Sequence, residues 1–187
     1  LLLLSLPVLL NTHYILVIWL KLVPEHAVLF VQLILIFAMS ESISNPLVTA
    51  MLATGKIRNY QIVVGGLQMM NLPVSYMCLR MGAIPESVLI VAIILSQCCL
   101  AARLYMLRGL IGLSSIQYMK KVYFNVLEVA IFAFVVPGLL SYYMQESFLS
   151  FVLITLTAMA CTCIVEFYVG CTKKERAFVL DKVHKVI

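Results

Sequence analysis

Charge is what this sequence has least of. Asp, Glu, Lys and Arg make up 11% of its 187 residues, against about 25% in an ordinary soluble domain. So thin a supply cannot cover the surface of a water-soluble protein of this size. Hydrophobic residues fill 64% of the chain, and the mean hydropathy is +1.09. These figures exclude a soluble enzyme, a disordered tail and a nucleic-acid-binding module. They leave a polytopic membrane protein, all-α, built as a transmembrane helix bundle. At about 20 apolar residues per crossing, the length holds five or six helices and no extramembrane catalytic domain.

Other absences narrow the reading further. The opening run Leu1-Leu2-Leu3-Leu4 has neither the Met and basic start nor the small-residue cleavage site of a signal peptide. It reads as the inside of a transmembrane helix, and the expectation is a C-terminal piece of a longer chain. There is no Gly-rich phosphate loop, no nucleophile–base pairing and no metal cluster. The six cysteines are Cys78, Cys98, Cys99, Cys161, Cys163 and Cys171. Four form the pairs 98/99 and Cys161-x-Cys163, inside apolar runs without nearby His or Asp. A zinc site needs four matched ligands, so these read as small apolar packing residues. No catalytic residue, cofactor or metal is expected.

What is present is a series of apolar runs. Full spans fall near 27–53, 60–80, 86–107, 121–143 and 147–169, with a partial span at 1–10. They form a helix bundle over 1–171. Thr172-x-x-Glu175 is a capping box opening a small element over 172–187. There Val179, Leu180, Val183, Val186 and Ile187 share one helical face opposite Lys and Arg. This tail is either an amphipathic helix on the cytoplasmic leaflet or a charged end that sets orientation.

The few cations are placed unevenly. Lys56 and Arg58, then Arg103, Arg108, Lys120 and Lys121, then Lys173, Lys174, Arg176, Lys182 and Lys185 all fall on one side if the spans alternate. Only Lys21 and Arg80 fall on the other. The Lys- and Arg-rich side is cytoplasmic. That places 54–59, 108–120 and the C-terminus inside, and 11–26, 81–85 and 144–146 outside. The net charge of +5 thus reports topology, with the lipid bilayer as partner and no nucleic acid. In 11–26, the stretch Ile15 to Leu20 with Trp19 reads as a short interfacial or re-entrant piece. His13 and His26 read as solvated.

Polar residues at membrane depth are functional suspects because a central charge costs about 2.5–3.5 kcal/mol on insertion scales. Glu41 is the sharpest. It lies mid-span, one turn from Asn45 and beside Pro46, where a kink is expected and neighbouring Ser and Asn side chains can satisfy the freed carbonyl. Glu41 is either a proton, cation or substrate site or a protonated carboxyl bonded between helices. Gln68 and Asn71 belong to a polar stripe in 60–80 and either line a cavity or join helices. Gly65-Gly66 offers close helix approach, and Pro73 a second bend. Glu128 is either functional or bridged to Arg103 or Lys121. Glu166 lies near the interface, where the cost is small, and reads as structural. Arg103 is expected to snorkel to the headgroups. The substrate or ion pathway is therefore assigned to Glu41, Asn45, Gln68, Asn71 and Glu128.

The stretch Asn45-Pro46-Leu47 through Ala53-Thr54-Gly55-Lys56-Ile57-Arg58-Asn59-Tyr60-Gln61 resembles the polysaccharide-biosynthesis flippases of bacteria. These are the O-antigen and capsular exporters of the multidrug/oligosaccharidyl-lipid/polysaccharide flippase superfamily. Trp19-Leu20 with Val23-Pro24-Glu25, Leu72-Pro73-Val74-Ser75-Tyr76, Ala102-Arg103-Leu104-Tyr105 and Gly170 through Arg176 add to the likeness. The resemblance implies a two-lobed fold around a central cavity that opens alternately to each side. This chain would supply its C-terminal part, five full spans and a partial one, with the N-terminal lobe of the same polypeptide as partner. It implies a lipid-linked oligosaccharide as substrate, carried on undecaprenyl pyrophosphate across the bacterial cytoplasmic membrane. It implies coupling to a proton or sodium gradient, which Glu41 or Glu128 could serve, though neither matches a family motif and neither role is carried over from the resemblance. Alternatives are a multidrug or cation antiporter of the same superfamily, a membrane enzyme of polysaccharide assembly, or a scaffold.

Overall fold

A backbone inside a bilayer must close its hydrogen bonds within itself, and a helix does so residue by residue. The computed structural model describes residues 1–144 and 147–170, and every regular element among them is helical. Among the described residues, five segments are long and apolar enough to cross a membrane: Ala27–Ala53, Ile57–Arg80, Ser87–Ile111, Ser115–Tyr143 and Phe148–Gly170. The chain is an all-α, multi-pass membrane protein. The spans follow the apolar runs, except that the fourth starts at Ser115 and takes in the stretch ahead of Lys121. The capping box at Thr172 and the tail over 172–187 lie outside the described residues.

The partial span at 1–10 is helix α1 (Leu2–Leu10), followed after a 74° bend by α2 (Thr12–Leu20). Polar side chains bond to the last carbonyls of α1 there, that of Pro7 also accepting the Asn11 backbone N–H at 3.1 Å. Asn11 Nδ2 donates to the Pro7 carbonyl at 3.0 Å, and the Thr12 hydroxyl to the Val8 carbonyl at 2.7 Å. Lys21, in the left-handed region at φ 58°, ends α2. The 11–26 connection is therefore largely helical.

The chain divides into two compact units. One holds Leu1–Ile15 and the described residues from Lys120 onward; the other is Leu16–Met119. In the first, α1 packs with α8 (Phe124–Tyr143) and α9 (Phe148–Val165). The buried positions step by four: Val129, Ala133 and Pro137 on α8, and Ser150, Ile154, Ala158 and Thr162 on α9. Ala133 and Ala158 are fully buried beside Leu6. Lipid tails are as apolar as leucine, so helices associate through close packing, and small side chains permit it. Buried Thr162 satisfies its hydroxyl on the Ala158 carbonyl, 2.7 Å away. The outer face of α8 exposes Ile131, Phe132, Phe134, Val135, Val136 and Leu139. In water such a patch drives association; in a bilayer it is the ordinary lipid-facing surface.

The second unit holds α3 (Ala27–Ala53), α4 (Ile57–Met69), α5 (Asn71–Arg80), α6 (Ser87–Ile111) and α7 (Ser115–Tyr118). Ser96, Cys99, Leu100, Arg103, Leu104 and Leu107 are the buried stripe of α6, at three- and four-residue steps. With Leu47 and Met51 of α3 and Tyr60 and Val64 of α4, its apolar members form the core. Helix α3 runs unbroken through Pro46. Proline has no N–H and crowds the preceding turn. The nearby Ile43 carbonyl accepts a hydrogen bond from the Tyr118 hydroxyl of α7 at 2.7 Å. The carbonyl that Pro46 itself leaves without a helical donor is that of Ser42, four residues back; the buried hydroxyl of neighbouring Ser44 has no partner. Helices α4 and α5 meet at Met70, close to the bend expected of Pro73. Gly65-Gly66 makes no close helix contact: a Cβ built on either residue meets nothing within 4 Å.

The Ala53-Thr54-Gly55-Lys56 stretch is a helix stop and restart. The Thr54 hydroxyl donates to the Met51 carbonyl at 2.7 Å and accepts the Lys56 N–H at 3.3 Å. Gly55 sits at φ 70°, a left-handed conformation that glycine alone adopts without a Cβ penalty.

Candidate functional site

The α3–α6 seam changes character along its length. Leu47, Met51, Cys99, Leu100, Leu104 and Leu107 are apolar toward the Lys56 and Arg108 end. Higher up, Ser40 and Glu41 face Ser96 and Gln97. Gln97 Nε2 donates to Ser40 Oγ. Ser40 and Ser96 hydroxyls lie 3.5 Å apart, and Ser96 Oγ donates to Glu41 Oε1 at 2.5 Å. Because the Ser96 proton is committed to Glu41, the Ser40–Ser96 bond runs from Ser40. The chain of donors thus passes from Gln97 through two hydroxyls and ends on the Glu41 carboxyl.

Beside this chain lies a cavity of about 230 Å³, lined by Phe37 and Glu41 of α3, Gln68 of α4, Asn71 of α5, and Ala92, Leu95 and Ser96 of α6. Asn71 Oδ1 accepts the Ser75 hydroxyl at 3.2 Å, which ties its amide in place. Glu41 and Gln68 each fall near the middle of their spans. Residues separated by 30 in sequence thus converge at one depth, with one carboxyl and two amides around an apolar wall.

Of the five pathway residues, the cavity gathers three: Glu41, Gln68 and Asn71. Asn45 is exposed and lines neither this cavity nor the larger one described below. The reason is helical rotation. At about 100° per residue, Glu41 lies about 100° around α3 from Ser40 and Asn45 about 140°, further from the seam. Glu128 is exposed on α8, in the other unit. Ser40, Ser96 and Gln97 join the site unforeseen. Their signal was a Ser96-Gln97 pair in an otherwise apolar span. The five described cysteines are free thiols, and among the described residues no group of His, Cys, Asp and Glu is arranged to hold a metal.

Two further ionisable groups stand outside this cavity, and one of them, Arg103, differs from its expected surroundings. Arg103 is 3% exposed, and its Nε and Nη1 are buried without a hydrogen-bond partner. It is packed inside the protein instead of snorkelling. His26 is exposed, as expected of a solvated residue, and its Nδ1 also lies 2.5 Å from Oε1 of Glu86, joining the starts of α3 and α6. Glu86 sits just outside its span. A hydrogen bond from its own backbone amide, helped by His26, holds its carboxyl below the ordinary value of 4.5. A depressed carboxylate contributes stability above its unfolded pKa and loses it as the pH falls through the folded one. The thermal midpoint of the wild type is therefore expected to drop with acidification below about pH 4.5, and more steeply than that of Glu86→Gln. Parallel curves for the two proteins would remove this role.

No family model, curated protein or solved structure matches the chain.

Proposed function

We propose that this chain belongs to a membrane transporter in which the mid-depth cavity binds the coupling proton or cation. The observation that carries this reading is the convergence of Glu41, Gln68 and Asn71 on one cavity half-way along their spans. An ionisable side chain there marks an ion or proton path by default. The hydroxyls of Ser96 and Ser40 extend from the carboxyl as a chain of groups that both donate and accept.

Size supports an ion over a large solute. Pockets for small organic ligands run to about 300–1,000 Å³, and a water takes about 30 Å³. A cavity of about 230 Å³ suits an ion with a few waters and is too small for an oligosaccharide. The substrate class follows from the resemblance instead. It is a lipid-linked oligosaccharide, flipped across the bacterial cytoplasmic membrane by alternating access between this part and a second lobe of the same polypeptide. The positive-inside rule puts Lys56, Arg58 and Arg108 on the cytoplasmic side. The cation-antiporter reading shares the coupling site and differs only in cargo.

The test is to express the whole gene in a bacterium lacking its own polysaccharide flippase. Recovery of surface polysaccharide is expected. Resistance to cationic drugs without polysaccharide would move the protein to the antiporters. Neither phenotype, with the protein present in the membrane, would remove transport altogether.

A further inference from the structure

A second, larger cavity of about 840 Å³ lies where α3 turns into α4 and α6 ends. Its lining includes Lys56, Arg58 and Arg108, together with Asn59, Tyr105 and Leu110, and no acidic residue. All three cations are exposed. Topology alone demands cations near this membrane surface but not their convergence on one concavity. The same site has two further features. Helix α4 starts at Ile57 with no side chain capping its first turn, so its free N–H groups and the positive end of its dipole add to the field. Tyr105 is 78% exposed, and with Leu110 it offers a half-apolar wall at headgroup depth, where tyrosine is at home.

From these we infer that the cavity binds a phosphate group, specifically the phosphodiester of an anionic membrane lipid. Three cations without an acid among them match a phosphate anion, and an arginine fork matches its oxygens. The volume falls within the range of small-molecule pockets and holds a headgroup with its glycerol. The apolar wall suits the start of the acyl chains. Basic pockets between helices on the anionic leaflet are a recurrent form of lipid recognition. This inference is independent of the coupling site: it rests on other residues and needs only a membrane chain.

The test uses the protein in phosphatidylcholine nanodiscs with or without phosphatidylglycerol, and native mass spectrometry of the lipid retained. The wild type is expected to retain phosphatidylglycerol over phosphatidylcholine. Each surface cation contributes roughly a fivefold factor, so Arg58→Gln with Arg108→Gln is expected to lower retention about 25-fold. Lys120→Gln with Lys121→Gln, exposed cations that do not line the cavity, is expected to leave it within about twofold, as suits surface charges outside the site that salt screens. Inorganic phosphate titrated into the same discs separates the sources. Displacement of the lipid shows that the phosphate group suffices, and no displacement shows that the glycerol and acyl contacts are needed. The inference fails if phosphatidylglycerol is not preferred, or if the Lys120/Lys121 pair costs as much as the Arg58/Arg108 pair.

Discussion

Glu41→Gln is expected to leave the helices packed and to abolish ion-driven transport. Glutamine keeps the oxygen that accepts from Ser96 Oγ, so the interhelical bond survives. It cannot take up or release a proton, and it offers no charge to a cation. Coupling free energies between sites are typically about 1–3 kcal/mol, or roughly 5–150-fold. Driven flux should therefore fall by that factor toward the undriven level, and its pH dependence should disappear. Glu41→Ala is the structural companion. It removes the acceptor and is expected to cost about 0.6 kcal/mol, the average for interhelical hydrogen bonds in a bilayer, and at most about 1.7 kcal/mol. Flux through reconstituted vesicles and the thermal midpoint read the two effects separately. Full driven flux in Glu41→Gln would end the coupling role. Equal loss of stability in both variants would reduce the carboxyl to a helix fastener.

The second large effect runs against intuition. Arg103→Met is expected to raise the thermal midpoint of the protein. A buried cation with unbonded nitrogens leaves part of its desolvation cost uncompensated, and replacing buried ion pairs by apolar side chains of similar volume is often neutral or stabilising by about 1–4 kcal/mol. Arg103 fits that case, since two of its guanidinium nitrogens are covered and unbonded. Its neighbours along the buried stripe of α6, Leu100, Leu104 and Leu107, are apolar, and methionine adapts to irregular gaps. A gain in stability with loss of transport would show that the charge is kept for function. A fall in the midpoint of the same size would show a compensating partner and sink the argument.

How far the residues reveal their own arrangement can be seen by comparing Glu41 with Asn45. Depth in the membrane was legible for both, because position along an apolar run is position along the bilayer normal. Rotation about the helix axis was not. In a soluble helix the apolar stripe marks the buried face. Here the lipid-facing residues of α8, such as Ile131 and Phe134, are as apolar as the core, so that stripe vanishes. Glu128 shows the same blindness: the sequence marks a carboxyl within an apolar run, and its azimuth leaves it exposed. Gly65-Gly66 carried the composition of a contact surface and faces open space. His26 and Glu86 are 60 residues apart, and no local pattern joins them.

Scarcity of charge was enough to decide the solvent, the helical class and the number of crossings. Each depends on hydropathy summed over about 20 residues, and a sum needs no partner. The turn at Thr54-Gly55 was equally local, because a hydroxyl cap and a left-handed glycine act within five residues. Everything that depends on which helix faces which was left to the tertiary structure: the Gln97–Ser40–Ser96–Glu41 chain, the burial of Arg103, and the convergence of Lys56, Arg58 and Arg108. In a bilayer those pairings rest on close packing and a few interhelical hydrogen bonds, interactions between elements far apart in the chain.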